Sequence, residues 1–183
     1  MSLPEIDQRI LSDFASPKGQ EKAFTLLVDT YRERLYWHIR RLVIQHENSH
    51  DVLQNVLVKA WRGLPQFKQQ SSLYTWLYRI ATNECLTFLE KQKRERAYSL
   101  SDHESGLANT LRAEKGFDAN KAEWQLQLAI QALPEKQRVV FTLRYYDEMP
   151  YEKMAEMLET SEGSLKASYH HASKKVIDFL KNH

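Results

Sequence analysis

Ser72-Leu-Tyr-Thr-Trp-Leu-Tyr-Arg-Ile-Ala-Thr-Asn-Glu-Cys-Leu-Thr-Phe-Leu-Glu-Lys-Gln-Lys-Arg-Glu-Arg96 is the stretch on which the reading of this chain turns. At about 100° per residue, the spacing predicts a helix with Leu73, Leu77, Ile80, Ala81 and Phe88 on one apolar face. Arg79 and Asn83 lie off that face, and Trp76 sits on its border beside them. Four cations close the run: Lys91, Lys93, Arg94 and Arg96. A flat aromatic, a cation and a carboxamide, followed by further cations, suit unstacked bases and phosphates. The same residues also fit a core helix with a solvated basic end, and this segment by itself leaves both readings open. Glu84 falls toward the apolar face, and nothing in the sequence accounts for it.

Working outward, the totals narrow the choices. A chain of 183 residues holds one medium domain or two small ones. Only five Gly and five Pro interrupt it, and period-2 runs are almost absent, so the fold class expected is all-α. With 26 Lys and Arg against 24 acids, the net charge is +2, too little to coat nucleic acid indiscriminately. Any DNA contact must come from local clusters. The single cysteine, Cys85, excludes an internal disulfide framework and a cysteine-based zinc site. The start does not resemble a signal peptide, and the most hydrophobic run, Leu35 to Ile44, is broken by His38, Arg40 and Arg41. A soluble cytoplasmic protein without a cofactor is expected.

Breakers divide the chain into segments. A first helix is predicted over 5–16, ending at Ser16-Pro17-Lys18-Gly19. A second runs from about Gln20 to Gln45, with Phe24, Leu27, Tyr31, Leu35 and Leu42 at helical spacing. Polar His46-Glu47-Asn48-Ser49 reads as an interruption, and a third helix, from residues 49–51 to Pro65, carries Val52, Val56, Ala60 and Leu64. Its polar side offers Asp51, Gln54, Asn55 and Lys59. Residues 97–120 turn small and polar and read as a flexible linker. The organisation expected is two small helical domains, 1–96 and 121–183, around that linker. A linker of this length also lets the two modules fold against each other.

The second module carries the sharper pattern. Pro134 suits the first turn of a helix bearing Val139, Val140, Leu143 and Tyr146. Tyr151 to Leu158 forms a short helix, Glu159-Thr160-Ser161 a gap, and about Glu162 to Leu180 a long helix: a helix-turn-helix. On the long helix Leu165, Tyr169, Ala172, Val176 and Phe179 fall in one arc, with Lys166, Ala167, His170, His171 and Lys174 opposite. Donors interleaved with small residues suit a major groove. A solvated bundle face has the same look.

Two metal-like patterns are weaker. His170 and His171, adjacent on a helix, point about 100° apart and do not converge on one ion. His46-Glu-Asn-Ser-His50 matches His-Glu-x-x-His, the pattern of zinc hydrolases. It falls where the helical pattern is expected to break, with no third ligand at a recognisable spacing. No catalytic triad, paired-carboxylate pocket or glycine-rich phosphate loop appears, so the chain is not expected to be an enzyme.

Taken in order, these blocks resemble the extracytoplasmic-function (ECF, group IV) sigma factors of bacterial RNA polymerase, in the sigma-70 family. Asp51-Val-Leu-Gln, then Val-Lys-Ala-Trp61, then Leu-Pro-Gln-Phe67 and Tyr74-Thr-Trp-Leu-Tyr-Arg-Ile-Ala-Thr-Asn83 look like region 2. Leu133-Pro-Glu-Lys-Gln-Arg-Val-Val-Phe141 and Tyr151 through Lys175 look like region 4. The resemblance implies that Asp51 and Gln54, with Asn55 where the family usually has an acid, dock on core polymerase. It implies that Trp76, Arg79 and Asn83 melt and read the minus-ten element, and that the segment after Lys91 holds a flipped base. Lys166, Ala167, His170 and His171 match positions that read the minus-thirty-five element. Glu159 stands where the family commonly places a turn glycine, and Ser168, His171 and Ser173 where arginines are frequent. The partners implied are core RNA polymerase and promoter DNA, and an anti-sigma factor is common in the group. The rival reading in another class is a stand-alone helix-turn-helix regulator, which has no use for the Trp76/Asn83 surface.

Overall fold

The computed structural model describes residues 3–98 and 121–182, and every regular element among them is helical. The helix α1 (Leu3–Phe14) is two residues earlier than its breaker suggested, and it packs on α2 (Gln20–Val43) through Ile10 and Phe14. Gly19 joins them, and a Cβ there would lie 2.3 Å from the Asp13 carbonyl oxygen, so only glycine fits so close to backbone. The Tyr31 hydroxyl donates to Asp7 at 2.5 Å across the pair. Burial raises both groups' pKa values.

The break between α2 and the next helix is sharper than the sequence implied. Ile44 takes φ 72 and ψ −55, a conformation that costs a β-branched residue about 1–3 kcal/mol, and it is held there by burial. Because Ile44 and Gln45 suffice to turn the chain, α3 (His46–Gly63) begins at His46 rather than at residues 49–51. The polar stretch therefore opens the helix instead of interrupting it. The Ser49 hydroxyl donates to the Gln45 carbonyl at 2.7 Å, and the Asn48 carboxamide donates to the Gln45 side chain.

A 3-10 turn over Leu64–Gln66 leads to α4 (Leu73–Tyr98), capped by Ser72, whose hydroxyl accepts from the Thr75 amide at 3.1 Å. Leu73, Leu77, Ala81 and Cys85 are fully buried against Leu35, Leu42, Leu53, Val56 and Ala60. Ile80 and Phe88 lie at the edge of this core. Glu84, unexplained by the sequence, forms an ion pair with Lys59 of α3. Burial holds the Cys85 thiol well above its ordinary pKa, with the Glu84 charge adding to the effect.

The second group comprises α5 (Lys121–Gln131), α6 (Glu135–Tyr145), α7 (Tyr151–Leu158) and α8 (Glu162–Asn182). Its own core joins Ile130, Leu133 and Phe141 to Ala172 and Val176 of α8, and the Phe141 and Tyr169 rings stack at 5.6 Å. Of the linker expected over 97–120, residues 97 and 98 instead close α4, and 99–120 lie outside the described residues. The two groups do not stand apart. α6 packs on α2 and α7 on α4, and Val139, Val140, Leu143, Met149, Met154 and Met157 continue the core of the first group.

Between α7 and α8 the turn reaches its geometry without glycine. Glu159 adopts φ 52 and ψ 45, the left-handed cap conformation. Ser161 then caps α8, its hydroxyl accepting from the Ser164 amide at 3.2 Å. Glu159→Gly is expected to raise stability by about 1 kcal/mol, because glycine enters this region without Cβ strain. The urea midpoint measures it, and a fall would show that the Glu159 side chain contributes more than its backbone costs.

Candidate polymerase and nucleic-acid interfaces

Asp51, Gln54 and Asn55 all lie exposed on one side of α3. Val58, 43% exposed, extends that stripe by one turn. Beside it Trp61 is pinned edge-on by Phe14 at 5.4 Å and Phe24 at 5.0 Å, which fixes the rotation of α3 about its axis. Lys59, exposed on the polar side as expected, pairs with Glu84 of α4. The result is a rigid helical face with one carboxylate, two carboxamides and an apolar end, suited to a protein partner.

On α4, Trp76 and Asn83 sit seven residues apart and so nearly in line along the helix. Trp76 is half-buried, with Phe67 at 5.1 Å on one side and Gly63 beneath, where a Cβ would meet its ring at 3.0 Å. That packing holds the indole still and leaves part of it at the surface. Asn83 is exposed. Arg79 is not gathered with them: Nη2 donates to the Glu156 carbonyl of α7 at 2.7 Å, under the second module. In the basic end, Lys91 faces Glu95 at 3.8 Å and Arg94 faces Glu90 at 3.7 Å. Exposed i,i+4 pairs of this kind are worth about 0.3–0.5 kcal/mol, so phosphates displace the acids easily. Lys93 is exposed, and the Arg96 side chain lies outside the described residues. Lys93 also lines a cleft of about 630 Å³ with Ser168, Lys136 and Arg138, so cations from both groups meet there.

On α8, Lys166, Ala167, His170, His171 and Lys174 are all exposed, opposite buried Leu165, Ala172 and Val176. Lys166 is steadied by Glu162 at 2.9 Å and lies 5.6 Å over the Tyr151 ring. The His170 and His171 rings are 5.9 Å apart, their planes 64° from parallel. The five residues form one cationic, sterically open helix face, as the periodicity predicted.

The His-Glu-x-x-His match does stand on a helix, contrary to the expected break. His46 and His50 share the first turns of α3, with ring centroids 4.5 Å apart. The Tyr36 hydroxyl meets His46 Nδ1 at 2.7 Å, and its ring lies 5.0 Å from His50, so the pair belongs to an aromatic cluster closing the α2–α3 junction. No group of three metal-ligating side chains occurs among the described residues.

Sequence reasoning missed the polar contact between the groups. His38, fully buried, meets Asp147 Oδ2 through Nδ1 at 2.7 Å and the Thr82 hydroxyl through Nε2 at 3.0 Å. Arg41 stands 3.8 Å from the other Asp147 oxygen and 4.2 Å over the Tyr146 ring, and its carbonyl accepts from Gln131 at 2.9 Å. Burial pushes the Tyr146 hydroxyl up to about 12 despite the nearby Arg41 charge. The one available signal was a histidine inside the apolar run of α2.

Fold and faces together define a two-part helical protein whose second part presents a helix-turn-helix. Residues 27–95 match Sigma-70 region 2, and residues 123–176 match Sigma-70, region 4. The chain is 31% identical to the ECF RNA polymerase sigma-E factor of Escherichia coli K12, over 87% of each chain. It is 28% identical to the RNA polymerase sigma-H factor of Pseudomonas aeruginosa, over 96% of this chain and 94% of that protein. Two solved structures share the fold with a TM-score of 0.69: the sigma factor RpoE with the anti-sigma factor NepR from Bartonella quintana, and CnrH with the cytosolic domain of CnrY. They are 22% and 21% identical and cover 87% and 97% of this chain, and 98% of each solved chain. The chain belongs to the ECF sigma factors of the sigma-70 family, non-enzymatic proteins that direct RNA polymerase to promoters. No described helix is long and apolar enough to cross a membrane.

Proposed function

We propose that three faces divide the work of initiation. Asp51, Gln54 and Asn55 dock on core polymerase. Lys166, Ala167, His170, His171 and Lys174 enter the major groove of the minus-thirty-five element. Trp76, Arg79 and Asn83, with the basic end of α4 (Lys91, Lys93, Arg94, Arg96), take the unpaired minus-ten strand. The observation that carries this reading is the exposure of two chemically different helix faces, one on each helical group and each backed by a packed core. The polar α3 face suits protein, and the cationic α8 face suits duplex DNA. A domain division at about 1–96 and 121–183 follows from the same assignment. The two solved structures of this fold hold an anti-sigma factor or a cytosolic partner domain, and an inhibitory partner of that kind is part of the reading. It places the chain in the cytoplasm with polymerase.

The DNA faces are expected to fail differently. Lys166→Ala and His171→Ala each weaken upstream duplex binding by about 1–3 kcal/mol if the residue reads a base. Asn83→Ala spares that binding and lowers promoter opening, read by permanganate reactivity of unpaired thymines in the polymerase-bound complex. Normal opening by Asn83→Ala would make that residue structural.

A further inference from the structure

The α8 face carries charge of two kinds. Lys166 and Lys174 are fixed cations, and Glu162, 2.9 Å from Lys166, already offsets one of them. Between them stand His170 and His171, both exposed, with ring centroids 5.9 Å apart. Neither ring is held in an ion pair or hydrogen bond among the described residues. Imidazole is the one side chain whose ordinary charge change falls between about pH 5 and 8. Protonation of both rings doubles the cations on this face. It also changes what each ring can read. A neutral imidazole offers one donor and one acceptor, so it suits several base edges. The charged ring only donates, and it favours the guanine acceptors O6 and N7.

The surroundings of the pair set the sign of the effect. On α8, Lys166 and Lys174 lie one turn from His170, and Lys174 and Lys175 one turn from His171. The carboxylates Glu162 and Asp178 are each about two turns away. α7 reaches this side through Tyr151, beneath Lys166, and α6 through Gln137, which accepts from Lys175 at 3.0 Å. Beyond Ser168, the cleft brings up Lys93 of α4 with Glu135, Lys136 and Arg138 of α6. Cations outnumber acids here, so the charge that protonation adds is left for an outside anion. We infer that His170 and His171 make the upstream duplex contact proton-dependent. Binding tightens as the pH falls through the histidine range, and with it grows a preference for guanine. The inference rests on the proposed reading of the α8 face and adds its regulation.

The test uses the full chain, in which the α8 face is open, and a dye-labelled duplex pool of randomised sequence. With a salt slope of about 0.9 per phosphate contact, one added contact is worth about eightfold at about 0.1 M salt. Anisotropy at fixed ionic strength should therefore show affinity rising about tenfold to fiftyfold from about pH 8 to about pH 5.5. Helical circular dichroism at each pH separates this from any unfolding around buried His38. The double variant His170→Gln, His171→Gln, at exposed positions, should show no such rise. His171→Arg should keep at the alkaline end the guanine enrichment that the parent's retained duplexes show only in acid. A rise in the double glutamine variant equal to the parent's would overturn the inference and leave the α8 reading standing. A parent that binds the pool equally at both ends would do the same. Alkaline pool binding untouched by Lys166→Gln with Lys174→Gln would remove the α8 reading, and the inference with it.

Discussion

Leu77→Ala is expected to lower the stability of the chain by about 3–4 kcal/mol, near the middle of the range for a leucine truncated in a core. Leu77 is fully buried in the second turn of α4, in the cluster where α2, α3 and α4 meet and into which α6 and α7 also pack. The neighbours are anchored on several helices, so the cavity left behind cannot collapse cheaply. Urea unfolding followed by circular dichroism measures the loss as a shift in midpoint with little change in slope. A loss below about 1 kcal/mol would mean that the site relaxes freely, against the density expected of such a core.

The second large effect concerns function without stability. The double replacement of Asp51 and Gln54 by Ala should weaken binding to core polymerase by about 2–3 kcal/mol, or one to two orders of magnitude. Promoter-specific transcription by reconstituted polymerase should fall with it. The urea midpoint should hold, since both side chains are exposed on α3 and neither belongs to the core. The α8 face is untouched and its duplex contacts should persist. Full transcription with unchanged core affinity would remove the docking role from this face.

Much of this was legible in the chain itself. The apolar arc of α8 appears as buried Leu165, Ala172 and Val176, with its five polar and small residues outward. Likewise Leu73, Leu77 and Ala81 of α4 are buried as their spacing required. Periodicity fixes such faces because a helix repeats every 3.6 residues whatever it packs against. The absence of a turn glycine at 159 was also legible, and the backbone takes the left-handed form there regardless.

What the sequence could not supply depends on residues far apart in the chain. The start of α3 rests on a backbone reversal at Ile44 that its side chain disfavours and that burial and the Ile44 amide's bond to the Arg40 carbonyl sustain. Glu84 looked misplaced until Lys59 of another helix faced it. Thr82 and Tyr78 lie outside the apolar arc of α4 and are buried nonetheless, alongside His38, an ionisable residue of α2. The sequence by itself determined the helices, the outward faces and the family. The tertiary structure alone decided that the two groups close on each other through Asp147 and His38, 109 residues apart, because a buried charge is tolerable only where the fold brings its partner to it.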